Sequence, residues 1–379
     1  MIFPDIQLHA EKIGAKGWMI GAALASTFLV QLLVSPAWGR LSDGIGRKPV
    51  LILCTALSAT GLYLYGLAST ISLIVLSRVV SGLGGANVAV GQALVADATD
   101  EAGRTATMGR IGAAVSLGLI GGPVLGGFLG QISSFAVGMA AGTSSALGTL
   151  VLLLLAPSPR PDLERSSDSA ARGEKRRLIN ISLLRDLHKV KALVIVAAVA
   201  WFSLAALEGT FGRLIEHTLK FDQREFGIVF GYESLLGFLV QALLIGWIAA
   251  RIRDDRLLRS AFVLQGVGLG LTPFTYLFPI PVAWLAILLL CSTFYALGSG
   301  FANPTINSLC SKLTPEERQG ELFGLLQAAR SIGFVVGPVV GGALFDAWFA
   351  APYLLAALTC LVAAILVPGS RKTAGGPVS

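Results

Sequence analysis

Long apolar stretches recur along the whole chain, and they constrain its fold more than any other feature. Each approaches the roughly 20 residues that a helix needs to cross about 30 Å of hydrocarbon. The chain is only 13% charged, against roughly 25% in soluble domains. The sequence therefore predicts an all-α membrane protein with about 11 transmembrane helices, at residues 18–38, 49–67, 71–96, 108–129, 135–155, 190–211, 227–250, 257–278, 281–306, 322–345 and 350–367.

The basic residues lie mostly on one side of these predicted helices. Of the 29 Lys and Arg residues, 22 fall in segments 39–49, 104–110, 157–191, 251–259, 307–320 and the tail. The opposite side carries five, namely Lys12, Lys16, Arg213, Lys220 and Arg224. Because cytoplasmic loops are rich in Lys and Arg, the C-terminus is predicted to be cytoplasmic in a multi-pass protein of the cell membrane. The net charge of +7 follows from this sorting, so no nucleic-acid partner is expected.

Catalytic and metal-binding patterns are not found in the sequence. The four cysteines lie in or beside apolar runs without paired spacing, and the three histidines lie in separate loops. These arrangements predict no disulfide framework, metal site or cofactor. An enzyme is therefore not expected.

An internal repeat divides the chain into two halves. Gly82, Gly84, Ala86 and Asn87 recur 216 residues later, and a block of glycines and a proline recurs 215 residues later. That block is Gly118, Gly122, Pro123, Gly126 and Gly127, repeated as Gly333, Gly337, Pro338, Gly341 and Gly342. The expected organisation is an N-terminal helical bundle (1–156), a cytoplasmic linker (157–189), a C-terminal six-helix bundle (190–369) and a cytoplasmic tail (370–379). Glycines four apart let a neighbouring backbone approach closely, so each block predicts either a rocking surface or simple helix packing.

Segment Gly39–Pro49 predicts a short loop between two membrane helices, in which glycines allow a tight turn. Its pattern Gly-x-Leu-x-Asp-x-x-Gly-Arg-Lys resembles the loop between the second and third helices of major facilitator superfamily transporters. Gly122-Pro123-x-x-Gly126-Gly127 resembles a fifth-helix motif of exporters in that superfamily. Leu76–Gly85 and Ala96–Asp100 resemble further segments of its drug/proton antiporters, which include the tetracycline and multidrug efflux proteins.

The resemblance implies a major facilitator fold, with two six-helix bundles related by pseudo-twofold symmetry. It also implies secondary active transport by alternating access, as proton-coupled efflux of a small lipophilic compound by a monomer in the lipid bilayer. The alternatives are a truncated or non-transporting membrane protein with a binding or regulatory role, and a facilitator that imports a small metabolite. Two departures are clear: the loop 249–256 lacks the pattern, and the first helix is missing except for Met1–Pro4. We expect about 20 apolar residues to be encoded in frame upstream of Met1.

The same resemblance assigns a gating loop. Asp43 is expected against the positive N-terminal end of the helix that begins near Glu321, and Arg47 is expected to pair with Asp97. The gating residues are Gly39, Arg40, Asp43, Gly46, Arg47, Lys48 and Asp97.

Charged residues inside the predicted spans are candidates for proton coupling or for lining a cavity, because burying a charge in hydrocarbon is costly. Arg78 either faces the central cavity or reaches the outer headgroups. Glu208 either carries a proton or is an interfacial acid beside Arg213. Arg330 and Glu233 are similar candidates with less support. Asn303 is included because Pro304 frees a backbone carbonyl in midspan, which is tolerated only beside protein or water.

Overall fold

The computed structural model describes residues 1–87, 90–91, 94–95, 101–155, 188–280, 283–315 and 318–369. The regular elements in these ranges are helical, as predicted. They are α1 (Phe3–Lys12), α2 (Gly17–Ile45), α3 (Arg47–Gly66), α4 (Ile71–Leu83), α5 (Glu101–Ile132), α6 (Ser134–Leu155), α7 (His188–Leu219), α8 (Gln223–Leu239), α9 (Ile245–Ala249), α10 (Asp254–Leu271), α11 (Trp284–Lys312), α12 (Gln319–Ala347) and α13 (Ala351–Leu366). A π-helical turn, Val240–Leu244, joins α8 to α9, and a 3₁₀ turn, Thr272–Leu277, follows α10. Most of the predicted linker and the predicted tail lie outside the described residues.

Nine helical segments in the described ranges are long and apolar enough to cross a membrane. Two of the eleven predicted spans correspond to shorter helices, α4 and α13. The predicted span 71–96 is interrupted because the chain turns at Gly84–Ala86. Two side chains of α2 stabilise this turn: Trp38 donates to the Leu83 carbonyl at 2.6 Å, and Gln31 donates to the Gly85 carbonyl at 2.8 Å. These hydrogen bonds satisfy backbone groups that hydrocarbon could not.

The apolar side chains divide between buried cores and an exposed lipid-facing surface. The C-terminal half has a large core that includes Phe211, Phe226 and Tyr353, and the N-terminal half has a smaller one around Tyr65. Large apolar side chains also cover the outside, and Ile365 is 80% exposed. Such exposure would be unfavourable in water, whereas it suits the hydrocarbon of a bilayer.

The two halves meet through two equivalent pairs of helices. The start of α2 packs against the end of α12, where Gly17 lies on the backbone of Gly342. The start of α8 packs against the end of α5, where Gly227 lies on the backbone of Gly127. The repeat found in the sequence relates Gly127 to Gly342, and an offset of 210 relates Gly17 to Gly227. The two contacts are therefore the same contact made twice, which is the pseudo-twofold arrangement predicted.

The predicted loop Gly39–Pro49 is wrong in its extent. Helix α2 continues to Ile45, α3 begins at Arg47, and Gly46 alone separates them. Gly46 has φ +98°, a conformation that side-chain-bearing residues rarely adopt, so this one glycine makes the turn. Arg47 then donates to the Ser42 hydroxyl at 2.6 Å, which joins the two helix ends.

The fragment Met1–Pro4 that was assigned to the first helix is longer in the structure. Helix α1 extends from Phe3 to Lys12, and its side chains Asp5, Ile6 and Gln7 are completely buried. The sequence suggested a polar stretch because acidic and amide groups alternate with apolar ones there. The fold buries both kinds, because other helices supply hydrogen-bond partners for the polar groups.

Candidate functional site

A buried arginine connects the two halves at one end of the molecule. Arg213 on α7 pairs with Glu11 on α1 at 3.2 Å and with Asp346 on α12 at 3.0 Å. Glu11 also contacts His217 at 3.0 Å, and Asp346 accepts a hydrogen bond from the Gly17 backbone N–H at 2.8 Å. Three of these four contacts cross from one half of the chain to the other. We call this end of the molecule the closed end.

A second set of hydrogen bonds at the closed end is centred on Asp5. Its carboxylate accepts from Tyr65 on α3, from Ser134 on α6 at 3.0 Å and from Gln223 on α8 at 3.1 Å. Because Gln223 belongs to the other half, this buried carboxylate also holds the halves together.

Two further amide side chains cross between the halves there. Gln7 on α1 donates to the Glu208 carbonyl and accepts from the Gly212 backbone N–H at 2.9 Å. Gln131 on α5 donates to Asp222 at 2.8 Å. Burial raises the pKa of Asp222, but the hydrogen bonds from Gln131 and the Arg224 backbone lower it by more. The pKa of Asp222 is therefore below the usual range. Asp222 is therefore ionised at neutral pH, and the bond from Gln131 is charge-assisted.

At the opposite end, which carries Gly46, glycines of the same helices lack close neighbours. Among the described residues, a Cβ atom built on Gly39 or Gly44 of α2, or on Gly324 of α12, would meet nothing within 4 Å. Gly118 of α5 and Gly237 of α8 are equally free of close neighbours in the described chain. In the described chain the two halves thus contact each other at the closed end, whereas these glycines have no close neighbour towards the other end, which we call the open end.

A cavity of about 240 Å³ lies in the C-terminal half between α7, α11 and α12. Two of the predicted site residues, Asn303 and Arg330, line it. Arg330 lies 11 residues into α12, roughly 16 Å from its start at 1.5 Å per residue, which is near the middle of that helix. The lining residues are Ala197, Trp201, Asn303, Ile306, Asn307, Phe323, Leu326, Gln327 and Arg330.

Aromatic rings contact Arg330 at the end of this cavity that lies nearest the closed end. Its guanidinium lies over Trp201, 4.4 Å from the ring centroid, and 5.7 Å from the centroid of Phe334. Phe334 in turn stacks on Phe28 of α2, with centroids 4.3 Å apart. The stacked pair Phe28 and Phe334 joins the halves one turn deeper than Arg330, so it separates the cavity from the closed end.

One acidic residue, Glu208, lies near Arg330, and a second, Glu233, lies near Glu208. Glu208 on α7 and Arg330 attract each other electrostatically. Glu233 on α8 lies near Ser292 and near Glu208. Glu208 does not pair with Arg213, whose Nη2 contacts Glu11 and Asp346 instead. A basic and two acidic side chains from three helices are thus gathered in the C-terminal half.

Arg78 belongs to a separate cluster in the N-terminal half. It is 8% exposed, its guanidinium lies 5.3 Å from the Tyr65 ring centroid, and its Nε contacts the Ser77 hydroxyl at 3.4 Å. Tyr65 links it to Asp5. The structure therefore places Arg78 with the closed-end network, whereas Glu208, Asn303 and Arg330 lie together.

The predicted gating residues lie around the Gly46 turn. Gly39, Arg40 and Asp43 occupy the last turns of α2, and Arg47 and Lys48 begin α3. Asp97 and the side chain of Asp43 lie outside what the structure describes, so the expected latch stays a prediction.

The predicted packing glycines lie at crowded contacts, except at one position. Gly126 and Gly127 have no room for a Cβ, because the backbones of Met1 and Gln223 lie against them. Gly337 and Gly341 face α7, Gly342 faces α2, and Pro338 contacts both helices. Gly122 is near Met1, and Gly118 has no close neighbour in the described chain.

The closed-end network was missed by sequence reasoning. Glu11, Arg213 and Asp346 are separated by more than 100 residues along the chain, so no local pattern joins them. Two signals were available: Gln7 and Glu11 share a helix face at i and i+4, and Arg213 lies in an apolar run. Among the described residues, no group of three or more His, Cys, Asp or Glu side chains could hold a metal ion.

The chain is similar in sequence and in structure to proteins that are already known. The sequence profile of the Major Facilitator Superfamily matches residues 1–295 and 193–377. Multidrug resistance protein 1 of Bacillus subtilis (strain 168) is 26% identical over 363 residues, covering 96% of this chain and 90% of that protein. The class D tetracycline resistance protein of Salmonella ordonez is 29% identical, covering 86% of this chain and 79% of that protein. The nucleoside transporter NupG has a similar structure, with a TM-score of 0.78 and 15% identity over 97% of this chain and 93% of that one.

Proposed function

The chain belongs to the Major Facilitator Superfamily of membrane transporters, and from this premise we propose that it exports a small lipophilic compound in exchange for protons. In this proposal it works as a monomer by alternating access, and its C-terminus and open end face the cytoplasm. The basic residues support that orientation, because most of them lie in segments near the open end. The relatives named for multidrug and tetracycline resistance favour export over an importing facilitator or a non-transporting protein.

The observation that carries the proposal is the closure of one end of the molecule while the other is open. A polar network joins the halves at the closed end, and the cavity beside Arg330 lies on the open side of the Phe28–Phe334 stack. A transporter must expose its site to one side at a time. This conformation is suited to loading from the cytoplasm, and breaking the closed-end contacts would release the compound outside.

Glu208 and Glu233 are the groups that we propose to carry protons. Both lie in membrane-spanning helices, where an ionised carboxylate is costly unless it is paired. In the ionised state Glu208 attracts Arg330, and in the protonated state it releases Arg330. Because α7 also carries Arg213 at the closed end, a movement of α7 that follows a change in the charge of Glu208 would also move Arg213.

Replacement of Glu208 by glutamine tests this role. The purified chain is reconstituted into liposomes, and tetracycline transport is measured with and without an imposed pH gradient of one unit. For one-to-one exchange of a neutral compound, that gradient supports an accumulation ratio of about tenfold. Glu208→Gln should abolish accumulation but keep downhill exchange, because binding and closure do not require the proton.

A matched control is Glu216→Gln on the same helix, which should accumulate tetracycline like the unmodified chain. Unchanged accumulation by Glu208→Gln would remove Glu208 from the proton route. Loss of accumulation and of downhill exchange together would assign Glu208 to substrate binding or to folding instead of to coupling. Failure of the unmodified chain to respond to any pH gradient would contradict proton exchange itself.

A further inference from the structure

The cavity between α7, α11 and α12 is lined by polar groups that can all donate hydrogen bonds. Asn303, Asn307 and Gln327 each have an amide NH₂, and Arg330 has a guanidinium with five N–H donors. The remaining five lining residues are apolar, and none of the nine is acidic. The wall therefore combines an apolar surface with hydrogen-bond donors and one positive charge.

Arg330 is available to a ligand because its described contacts are aromatic. The guanidinium lies over Trp201 and Phe334, and among the described residues no carboxylate oxygen lies within 4.0 Å of it. Rings contact the faces of a guanidinium, whereas its N–H groups point outwards in its plane. Part of the guanidinium is exposed to the cavity, so those donors can reach a bound compound.

We propose that this cavity recognises a planar, apolar compound through a carbonyl or carboxylate oxygen that accepts hydrogen bonds from Arg330. This inference deepens the proposed function, and it rests on that function in treating the cavity as part of the transport path. The three amides bind further acceptor oxygens, and Trp201 and Phe323 contact the rings. The volume is close to the lower end of ligand pockets, roughly 300 Å³, so a two-ring compound or one end of a larger one fits.

A compound with a fixed positive charge is excluded by the same wall. It would be repelled by the guanidinium, and it would offer no acceptor to the N–H donors of Arg330. This separates the present chain from a transporter whose cavity selects lipophilic cations through acidic side chains.

Glu208 affects the binding of a carboxylate ligand and of a neutral carbonyl ligand differently. An ionised Glu208 attracts Arg330, so it competes with a carboxylate ligand for the same guanidinium. A neutral carbonyl is not subject to this charge competition. The compound exchanged for a proton is therefore the uncharged carbonyl form. A bound anion would displace ionised Glu208 from Arg330, so the anion and a proton on Glu208 would be carried together and not in exchange.

Three bicyclic probes of matched size test the inference. Isothermal titration calorimetry on the full chain in detergent measures the binding of 2-naphthamide, 2-naphthoate and N-methylquinolinium, which are neutral, anionic and permanently cationic. A charge-assisted hydrogen bond is worth a factor of about ten or more. We expect 2-naphthamide to bind at least about tenfold more tightly than N-methylquinolinium, and Glu208→Gln to raise the affinity for 2-naphthoate.

Substitutions at Arg330 test whether this residue causes the preference for 2-naphthamide over N-methylquinolinium. Arg330→Gln should reduce the difference between 2-naphthamide and N-methylquinolinium to less than about threefold, and Arg330→Lys should keep most of it because the charge remains. The control is Arg251→Gln, which removes another arginine that lies over a tryptophan, 4.0 Å from the Trp247 centroid and outside the cavity. It should leave all three affinities unchanged.

Two outcomes would overturn the inference. The first is N-methylquinolinium binding as tightly as 2-naphthamide to the unmodified chain. The second is a preference that survives in an Arg330→Gln protein that elutes as a single monodisperse peak. Neither measurement uses a pH gradient, so a failure of proton exchange in liposomes would leave the binding result standing, and the reverse also holds.

Discussion

Replacing Glu11 by alanine tests whether the closed-end network sets the balance between the two transport states. Glu11 lies on α1, and its two partners, Arg213 and His217, lie on α7 in the other half. The substitution removes both contacts of Glu11 with the other half and leaves Arg213 paired with Asp346 within the C-terminal half. Alanine favours helix more than any other residue, so α1 itself should not be weakened.

The expected magnitude follows from burial. The Arg213 side chain is 8% exposed and that of Glu11 is 26% exposed. Breaking a fully buried ion pair costs about 3–5 kcal/mol, and partial exposure of Glu11 reduces this to about 2 kcal/mol. The pair with His217 adds little, because that side chain is 53% exposed. A change of about 2 kcal/mol shifts an equilibrium about 30-fold. A protein open at this end for about 1% of the time would then be open for about a quarter of the time.

Distance measurements between spin labels detect this shift. The four native cysteines are buried, so cysteines introduced at the exposed positions Lys16 and Trp348 can be labelled selectively. Glu11→Ala should add a population with a longer distance across the closed end. The control is Lys12→Ala, on the same helix and exposed to solvent, which should leave the distribution unchanged. An unchanged distribution for Glu11→Ala would refute the reasoning, and so would an equal shift in the control.

Two further predictions concern the open end and the helix contacts. Asp43→Asn should lower transport at unchanged membrane abundance, because a carboxylate at the Gly46 turn is expected to latch the halves when the cavity opens outward; unchanged efflux in everted vesicles would count against the latch. Gly127→Leu should abolish transport, because the backbone of Gln223 leaves no room for a side chain. Gly118→Leu on the same helix has open space around it and should transport normally, and equal activity of the two variants would show that close approach at Gly127 is unnecessary.

The apolar runs predicted most of the membrane-spanning helices because length and hydrophobicity are local properties of a sequence. The ends of those helices were predicted less well. Residues 39–45 contain two glycines and three polar side chains, which favour a loop in isolation. In the structure α2 continues to Ile45, and Ser42 bonds to the Gly39 carbonyl and to Arg47 within these last turns. The same limitation applies at Asp5 and Gln7, because the partners that allow their burial come from other helices.

The sequence by itself determined the class of the protein, its duplication and the positions at which glycine is needed. The repeat of Gly127 and Gly342 is visible in the letters alone, and its meaning as one contact made twice follows from symmetry. Only the tertiary structure decided which charges meet. Glu208 lies five residues from Arg213 along α7, yet it faces Arg330, while Arg213 faces Glu11 and Asp346. Charges act through space over a few ångströms, so the network at the closed end exists only once helices from both halves have packed, and the cavity beside Arg330 only once α7, α11 and α12 have packed.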